Sequence, residues 1–369
     1  MLMRLGPPIG AFVLARVALW WFALGVGHNA LHATAWSHWD SAHYLSIAEH
    51  GYEFFSCARL PGYDPKLFCG NMAWLPGYPL LIRLVATLGI TPLVAGALVS
   101  ALFALGILIL FWNLFLGPKP TLAGALALVF AAFFPGHFYD HAVFPISMFA
   151  FLQVLALRFY VDRQFAWAGI AGGLAAFTYS SGLFLCAVFG LHLLGAERQR
   201  SYRDQLIAIA LAPGLVAVGF LCALLLQWIE VGTWNAFFLV QAKYAYQFTW
   251  PTTPLAASVS HVIQHFPTIG PSTQSLFVAI VCLSLLWRAL ATRPVARVDA
   301  VMSLFLIVYW LVPLMMGGSL SIYRAESTLL PAAAPLAGRL RPAWLAALLL
   351  LALLVSRAMS KLFFKNVLV

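Results

Sequence analysis

The sequence predicts an all-α polytopic membrane protein: one integral domain over residues 1–369, a bundle of about 11 transmembrane helices with short surface helices in its first outer loop. Three observations predict it. Hydrophobic residues make up 63% of the chain and charged residues 9%, against roughly 25% charged in an ordinary soluble domain. The apolar residues come in runs that reach the ~20 residues a helix needs to cross a bilayer, and these runs are continuous rather than alternating, which excludes a β-barrel. Lys and Arg gather in alternate short loops, as expected for loops that face the cytoplasm. The net charge of +10 is therefore a topology signal. No basic stripe interleaved with aromatics stands outside the membrane, so no nucleic-acid partner is expected.

The first run, Pro7 to Val26, follows Arg4. Ala33-Thr34-Ala35 matches a signal-peptide cleavage pattern, but Arg16 interrupts the run and many spans follow. It reads as an uncleaved first span with a cytoplasmic N-terminus, and Arg16 faces protein or a headgroup rather than lipid. Residues 28–90 form the first outer loop. Within it Ser41 to His50 has helical spacing, with Tyr44, Leu45, Ile47 and Ala48 on one apolar face and Gly51 as a left-handed stop. A loop follows with Cys57 and Cys69, which outside the cytoplasm could form a disulfide. The other three cysteines, Cys186, Cys222 and Cys282, lie in apolar runs and read as core residues. The stretch MAWLPGYPLLIRL carries Pro76 and Pro79, which prevent a straight helix, and reads as a second surface segment.

Further spans are predicted near 91–116, 121–135, 144–160, 166–179, 181–195, 206–229, 272–290, 300–316, 327–338 and 342–356. The basic loops fall on the cytoplasmic side: Gly117-Pro118-Lys119-Pro120; Arg158 with Arg163; Glu197 to Asp204 with Arg198, Arg200 and Arg203; Arg288, Arg293 and Arg297; Arg339 with Arg341. Residues 230–271 form a second large outer loop. The tail with Arg357, Lys361 and Lys365 lies outside, against the rule. Of the 11 acids, seven fall outside, and so do nine of the 10 histidines. One polar, reactive outer surface accounts for that segregation.

The most polar island is HWDSAHYLSIAEHGY, from His38 to Tyr52. With MAWLPGYPLL after it, it resembles the PIG-V family, the GPI-anchor mannosyltransferases and their prokaryotic relatives within the GT-C class of polytopic glycosyltransferases. GTWNAFFLVQAKYAYQFTWP, from Gly232 to Pro251, is similar to that family's second outer loop, and Ser321-Ile322-Tyr323-Arg324 to its late outer arginine. Two positions depart. Where relatives carry an acid this chain has Ile146, and where they carry an arginine it has Tyr179.

The resemblance implies a GT-C-type bundle, a hexose (mannose foremost) donated by a polyprenyl phosphate, and an acidic catalytic base, which Asp40 matches. Chemistry agrees: inverting transfer needs a carboxylate to take the acceptor proton and positive charge on the leaving phosphate. Asp40 could equally be the N-cap of the Ser41 helix. Arg324 is the first candidate for the phosphate, since a guanidinium binds its oxygens in bidentate fashion; a salt bridge to Glu326 is the plain alternative. Lys243 and Arg83 are further phosphate candidates, or interfacial anchors. Substrate contacts are expected from Trp39, His43 and Tyr44. A second polar knot, HFYDH, adds His137, Asp140 and His141, which could instead line a wet loop. His137 and His141 also have the i,i+4 spacing of zinc ligands, and His38 or His43 could complete a metal site; a divalent metal cofactor stays open but is not favoured. The expected partners are the lipid-linked donor, membrane lipids, and an acceptor glycan, lipid or protein. A transporter or flippase of a lipid-linked substrate is the alternative function, against which stands the absence of an internal repeat. Short termini and lean loops favour a prokaryotic plasma membrane over the ER.

Overall fold

The computed structural model describes residues 2–117, 121–196, 201–244, 246–291, 294–317 and 321–368. Pro118 to Pro120, Glu197 to Arg200 and Arg293 lie outside the described residues. The chain begins with α1 (Leu2–Leu24), whose Pro7 and Pro8 sit near its start. The first outer loop then folds into α2 (Ser41–His50), a two-stranded antiparallel hairpin of β1 (Phe54–Ser56) and β2 (Phe68–Gly70), and α3 (Gly77–Ala86). Both surface helices expected in this loop are present. α3 starts only after Pro76, and Pro79 falls in its first turn, where a missing N–H costs no helical bond.

Next come α4 (Pro92–Phe111), α5 (Leu122–Ala132), the single turn α6 (Phe138–His141), α7 (Ile146–Val161), α8 (Phe165–Thr178) and α9 (Phe184–Ala196). α10 (Tyr202–Ile209) runs through a π-helical stretch at Pro213 into α11 (Leu215–Val231). The second outer loop holds α12 (Ala236–Gln241) and α13 (Thr252–His265). Then follow α14 (Pro271–Ala291), α15 (Arg297–Met315), the short α16 (Ile322–Ser327), α17 (Leu330–Ala337) and α18 (Pro342–Phe364).

Each of the eleven predicted spans meets a helix. Among the described residues, six helices are long and apolar enough to cross a membrane: Arg4–Leu24, Pro92–Leu116, Tyr202–Val231, Pro271–Ala291, Arg297–Met315 and Pro342–Phe364. Together with their lipid-like exposed faces, as at Val13, Val17 and Trp21, they make this an integral membrane protein. Others are shorter. α17 has eight residues, which at 1.5 Å each cannot cross about 30 Å of hydrocarbon. Pro331 falls in its first turn, Pro335 lies inside it, and Gly338 stands at its C-cap.

Among the described residues, Arg4, Arg158, Arg297 and Arg339, all predicted to be cytoplasmic, collect at one end of the bundle. Asn113, at the end of the α4 segment, donates to the Arg4 carbonyl at 3.3 Å. Arg158 donates to Leu114 O at 2.8 Å and Arg297 to Tyr160 O at 3.0 Å. Arg339 pairs with the buried carboxylate of Asp299 at 3.0 Å. The opposite end carries α2, α3, the hairpin, α12, α13 and α16. α18 starts at the arginine end and finishes at the other, where His38 meets Phe363 with ring centroids 4.8 Å apart. This puts Lys361 and Lys365 at the end away from the other basic clusters.

Candidate active site

Asp40 occupies the N-cap position of α2, yet its side chain makes no capping bond. The turn before the helix is held by other groups: the His38 N–H donates to the Ser41 hydroxyl at 3.1 Å. Trp39, half exposed, adopts a left-handed φ of 47°, a conformation that costs a non-glycine residue about 1 kcal/mol or more. The carboxylate of Asp40 is thereby turned inward, where it forms an ion pair with the Arg324 guanidinium, 284 residues away. The salt bridge between Arg324 and Glu326 offered by the sequence does not form; Glu326 instead accepts from Gln274 at 2.8 Å.

The frame around the pair is built from loop clasps. Arg83 of α3 donates to the last carbonyls of α2, Ala48 O at 2.8 Å and Ile47 O at 3.0 Å. It therefore holds the helix that carries Asp40 and is not placed for a phosphate. From α11, Glu230 accepts from the Tyr52 N–H at 2.9 Å and Gln227 donates to Met72 O at 2.9 Å. Tyr52 in turn donates to Trp74 O at 2.9 Å. Trp74 is thus fixed as a platform: His43 stacks on it with centroids 3.6 Å apart, and the Lys243 ammonium lies 5.8 Å from its ring and 5.1 Å from that of Tyr244. Burial lowers the His43 pKa; Asp40 pulls it back up, Lys243 pushes it down and Glu53 raises it. Burial likewise lowers that of Lys243, and Asp40 opposes it. Burial works against the charge on Arg324, but Tyr179, Asp40, Tyr139 and Tyr44 more than offset it, so its pKa is raised and it stays cationic.

A cavity of about 740 Å³ opens beside Arg324. Its wall is mostly aromatic and apolar, with Tyr179, Phe220, Phe237, Tyr244, Tyr246 and Tyr309 among the residues that form it. The second outer loop is tied to it where the Thr249 N–H donates to Met315 O at 2.9 Å. Among the described residues Arg324 is the only charged side chain on that wall.

Of the residues singled out from the sequence, Asp40, Arg324, His43, Tyr44 and Lys243 come together, while Trp39, next to Asp40 in the chain, is half exposed. His137, Asp140 and His141 do not join them. They are buried inside the bundle, where His137 approaches Ser356 of α18 at 3.3 Å and His141 packs beside Phe12 and Trp36. Their polarity marks an interior knot rather than a wet loop, and none of them reaches the cavity. Tyr139, the middle of that motif, stacks with Tyr323, the neighbour of Arg324, with ring centroids 6.4 Å apart. Cys57 and Cys69 form the disulfide that ties the hairpin. Of the two departing positions, Ile146 is fully buried, while Tyr179 lines the cavity and packs against Phe149 at 5.2 Å. Trp74 was missed; a tryptophan in the first outer loop, two residues before Pro76, is the signal that could have found it.

No family model matches the chain. Among curated proteins it is similar to GPI mannosyltransferase 2 of Schizosaccharomyces pombe, 25% identical over 199 residues, 52% of this chain and 39% of that protein. It is also similar to GPI alpha-1,6-mannosyltransferase 2 of Rattus norvegicus, 30% identical over 223 residues, 58% of this chain and 41% of that protein. The chain therefore matches about two fifths of the length of these relatives. Among solved structures, its fold is that of ArnT from Cupriavidus metallidurans bound to undecaprenyl phosphate, with a TM-score of 0.55 and 13% identity over 97% of this chain and 76% of that one. The Archaeoglobus fulgidus oligosaccharyltransferase follows at a TM-score of 0.50 and 14% identity over 95% and 53%. The resemblance seen in the motifs is thus met by similarity to the same kind of mannosyltransferase, and by the fold of polytopic glycosyltransferases.

Proposed function

We propose that this protein is a membrane-embedded glycosyltransferase that moves a hexose, mannose foremost, from a polyprenyl-phosphate donor to a hydroxyl of a lipid, glycan or protein acceptor outside the cytoplasm. The observation that carries the proposal is the Asp40–Arg324 pair, whose arginine lines an aromatic cavity at one end of a transmembrane bundle. A carboxylate and a guanidinium side by side are the two groups an inverting transfer from a phosphate needs. The acceptor oxygen attacks the anomeric carbon and its proton passes to Asp40. The bond from that carbon to the phosphate oxygen breaks, and its electron pair leaves with the phosphate, which Arg324 stabilises. The aromatic wall suits an isoprenoid, and the site's place at the bundle end lets the lipid tail stay in the membrane. The similarity of the relatives supports mannose as the sugar, and the phosphate-bound lipid of the ArnT structure supports the donor class.

The test is reconstitution of the purified protein in lipid with a polyprenyl-phosphate mannose and a mixture of candidate acceptors. Asp40→Asn is expected to keep its elution profile and lose transfer by about 10²-fold to 10⁴-fold. Transfer at the native rate by that variant would remove Asp40 from the chemistry. Transfer from a nucleotide sugar in place of the lipid-linked one would overturn the donor class.

A further inference from the structure

We infer that the Asp40–Arg324 ion pair is a latch: the site rests with its base masked, and an anionic donor phosphate unmasks it by drawing Arg324 into the cavity. The inference rests on the glycosyltransferase reading above and adds the order of events within the site.

The argument starts from where the two side chains stand. Arg324 is on the cavity wall; Asp40 is not among the residues that form it. Arg324 joins the cavity to the carboxylate, since it lines the one and is ion-paired to the other. An acceptor hydroxyl in the cavity meets Arg324 first, and the latch requires the guanidinium to move before Asp40 takes the proton. One carboxylate oxygen, Oδ2, is bound to Arg324 Nη1, so that oxygen takes no acceptor proton while the pair holds.

The same arrangement supplies the trigger. Arg324 is the only charged side chain on the wall among the described residues, so a phosphate entering there meets a single cation. A phosphate carries more negative charge than a carboxylate and offers three oxygens to the planar fork. Exchange of Arg324 from Asp40 to phosphate keeps the guanidinium paired throughout, which avoids an unpaired buried charge. Asp40 remains within the field of the Lys243 ammonium and next to His43, so it too is not left without neighbours. The supporting element suits a local move. α16 is six residues long, and its N-cap Ser321 has a left-handed φ of 58°. The nearer side chains that would line the swing are tyrosines, Tyr179 and Tyr246, whose hydroxyls can follow the guanidinium.

A masked base has a chemical consequence. Without donor, Asp40 does not activate water or acceptor. With donor bound, base and leaving-group cation are produced in one step, so donor binds first.

The experiment measures binding of a C10 isoprenyl monophosphate to the full-length protein in detergent. If the pair holds Arg324 about nine tenths of the time, only one tenth of the protein is competent, and apparent affinity is lowered about tenfold. Asp40→Asn is therefore expected to bind the probe about tenfold more tightly than wild type. Glu53→Gln, which removes an acid of the same loop that does not pair with Arg324, controls for general electrostatics and is expected to leave the affinity unchanged. Arg324→Gln is expected to lose binding. Equal or weaker binding by Asp40→Asn, with binding still lost in Arg324→Gln, would overturn the latch and leave the phosphate site standing. An equal gain in Glu53→Gln would also overturn it. A probe that wild type does not bind, or that Arg324→Gln binds as well as wild type, would remove the phosphate site and the latch together. Asp40→Ser takes away the same charge and serves if the amide variant is not recovered folded.

Discussion

Gly77→Ala is the most informative single substitution for the way the fold holds the site. Gly77 opens α3 and lies against Thr178, the last residue of α8. A β-carbon there would stand 2.5 Å from Thr178 Oγ1, 2.9 Å from its Cα and 3.1 Å from its Cβ, where ordinary contact begins at 3.4 Å. The hydroxyl is not free to turn away, because it donates to Leu174 O at 2.8 Å. Against the Cα, which is backbone, the deficit is 3.4 − 2.9 = 0.5 Å, so α3 has to move off α8 by about that much. Overpacking of this kind costs about 1–3 kcal/mol, whereas Gly→Ala in an uncrowded helix gains about 0.5–1 kcal/mol. The sign of the change therefore decides the matter. The displacement also travels: Arg83 of α3 grips α2, α2 begins at Asp40, and Tyr179 follows Thr178 on the cavity wall. Misplacement on the order of 1 Å costs about 10²-fold in rate, so half of that predicts a loss of about tenfold. The assay is the thermal midpoint and transfer rate of purified protein in one detergent, with Gly190→Ala as the control, since nothing lies within 4 Å of a β-carbon there. A Gly77→Ala protein that melts at or above wild type would refute the close-approach argument.

Arg83→Gln removes two charge-assisted hydrogen bonds to the end of α2 and is expected to destabilise by about 2 kcal/mol; an unchanged melting temperature would show the clasp to be idle. Cys57→Ser with Cys69→Ser opens a loop with a sequence separation of 12, for which chain entropy predicts a loss of about 3 kcal/mol, read as the shift in melting on reduction of wild type. His43 is held neutral by burial, its pKa below the ordinary 6.5. The unfolded chain then takes up the proton first, so the stability that His43 contributes is present above pH 6.5 and is lost as pH falls through that value toward its folded pKa. His43→Phe keeps a ring on Trp74 without a titrating group, and its melting temperature is expected to fall less between pH 7 and pH 5 than that of wild type; parallel curves would contradict this.

Much of this was legible in the chain. Apolar runs marked a helix at every place where a span was expected, because transfer into lipid is set by local composition. Their lengths were less legible. α17 is a single short stretch of eight residues, and whether it belongs to the crossing or only leads into it depends on what packs around it. The motif around Asp40 and the late arginine were each recognisable as candidates for a site. Their union was not, since nothing in HWDS or SIYR says that one will close on the other. The knot HFYDH misled, because polarity in sequence reads as contact with water. In the structure α18 returns across the bundle and brings Ser356 and Phe363 over it, and the polar groups become interior ones. Arg83 misled in the same way: a guanidinium near an active loop looks like a phosphate ligand until the carbonyls of Ile47 and Ala48 are seen to occupy it.

What the sequence determined by itself was the medium, the order of the helices and the outer loops from which Asp40 and Arg324 come. Those follow from additive, residue-by-residue costs of placing side chains in lipid or water. Only the tertiary structure decided which charges meet. Asp40 could have capped α2 and Arg324 could have paired with Glu326, each within a few residues. The ion pair that spans 284 positions formed instead because packed helices had already brought the two outer loops together, and a partly shielded charge takes the partner that packing puts within reach.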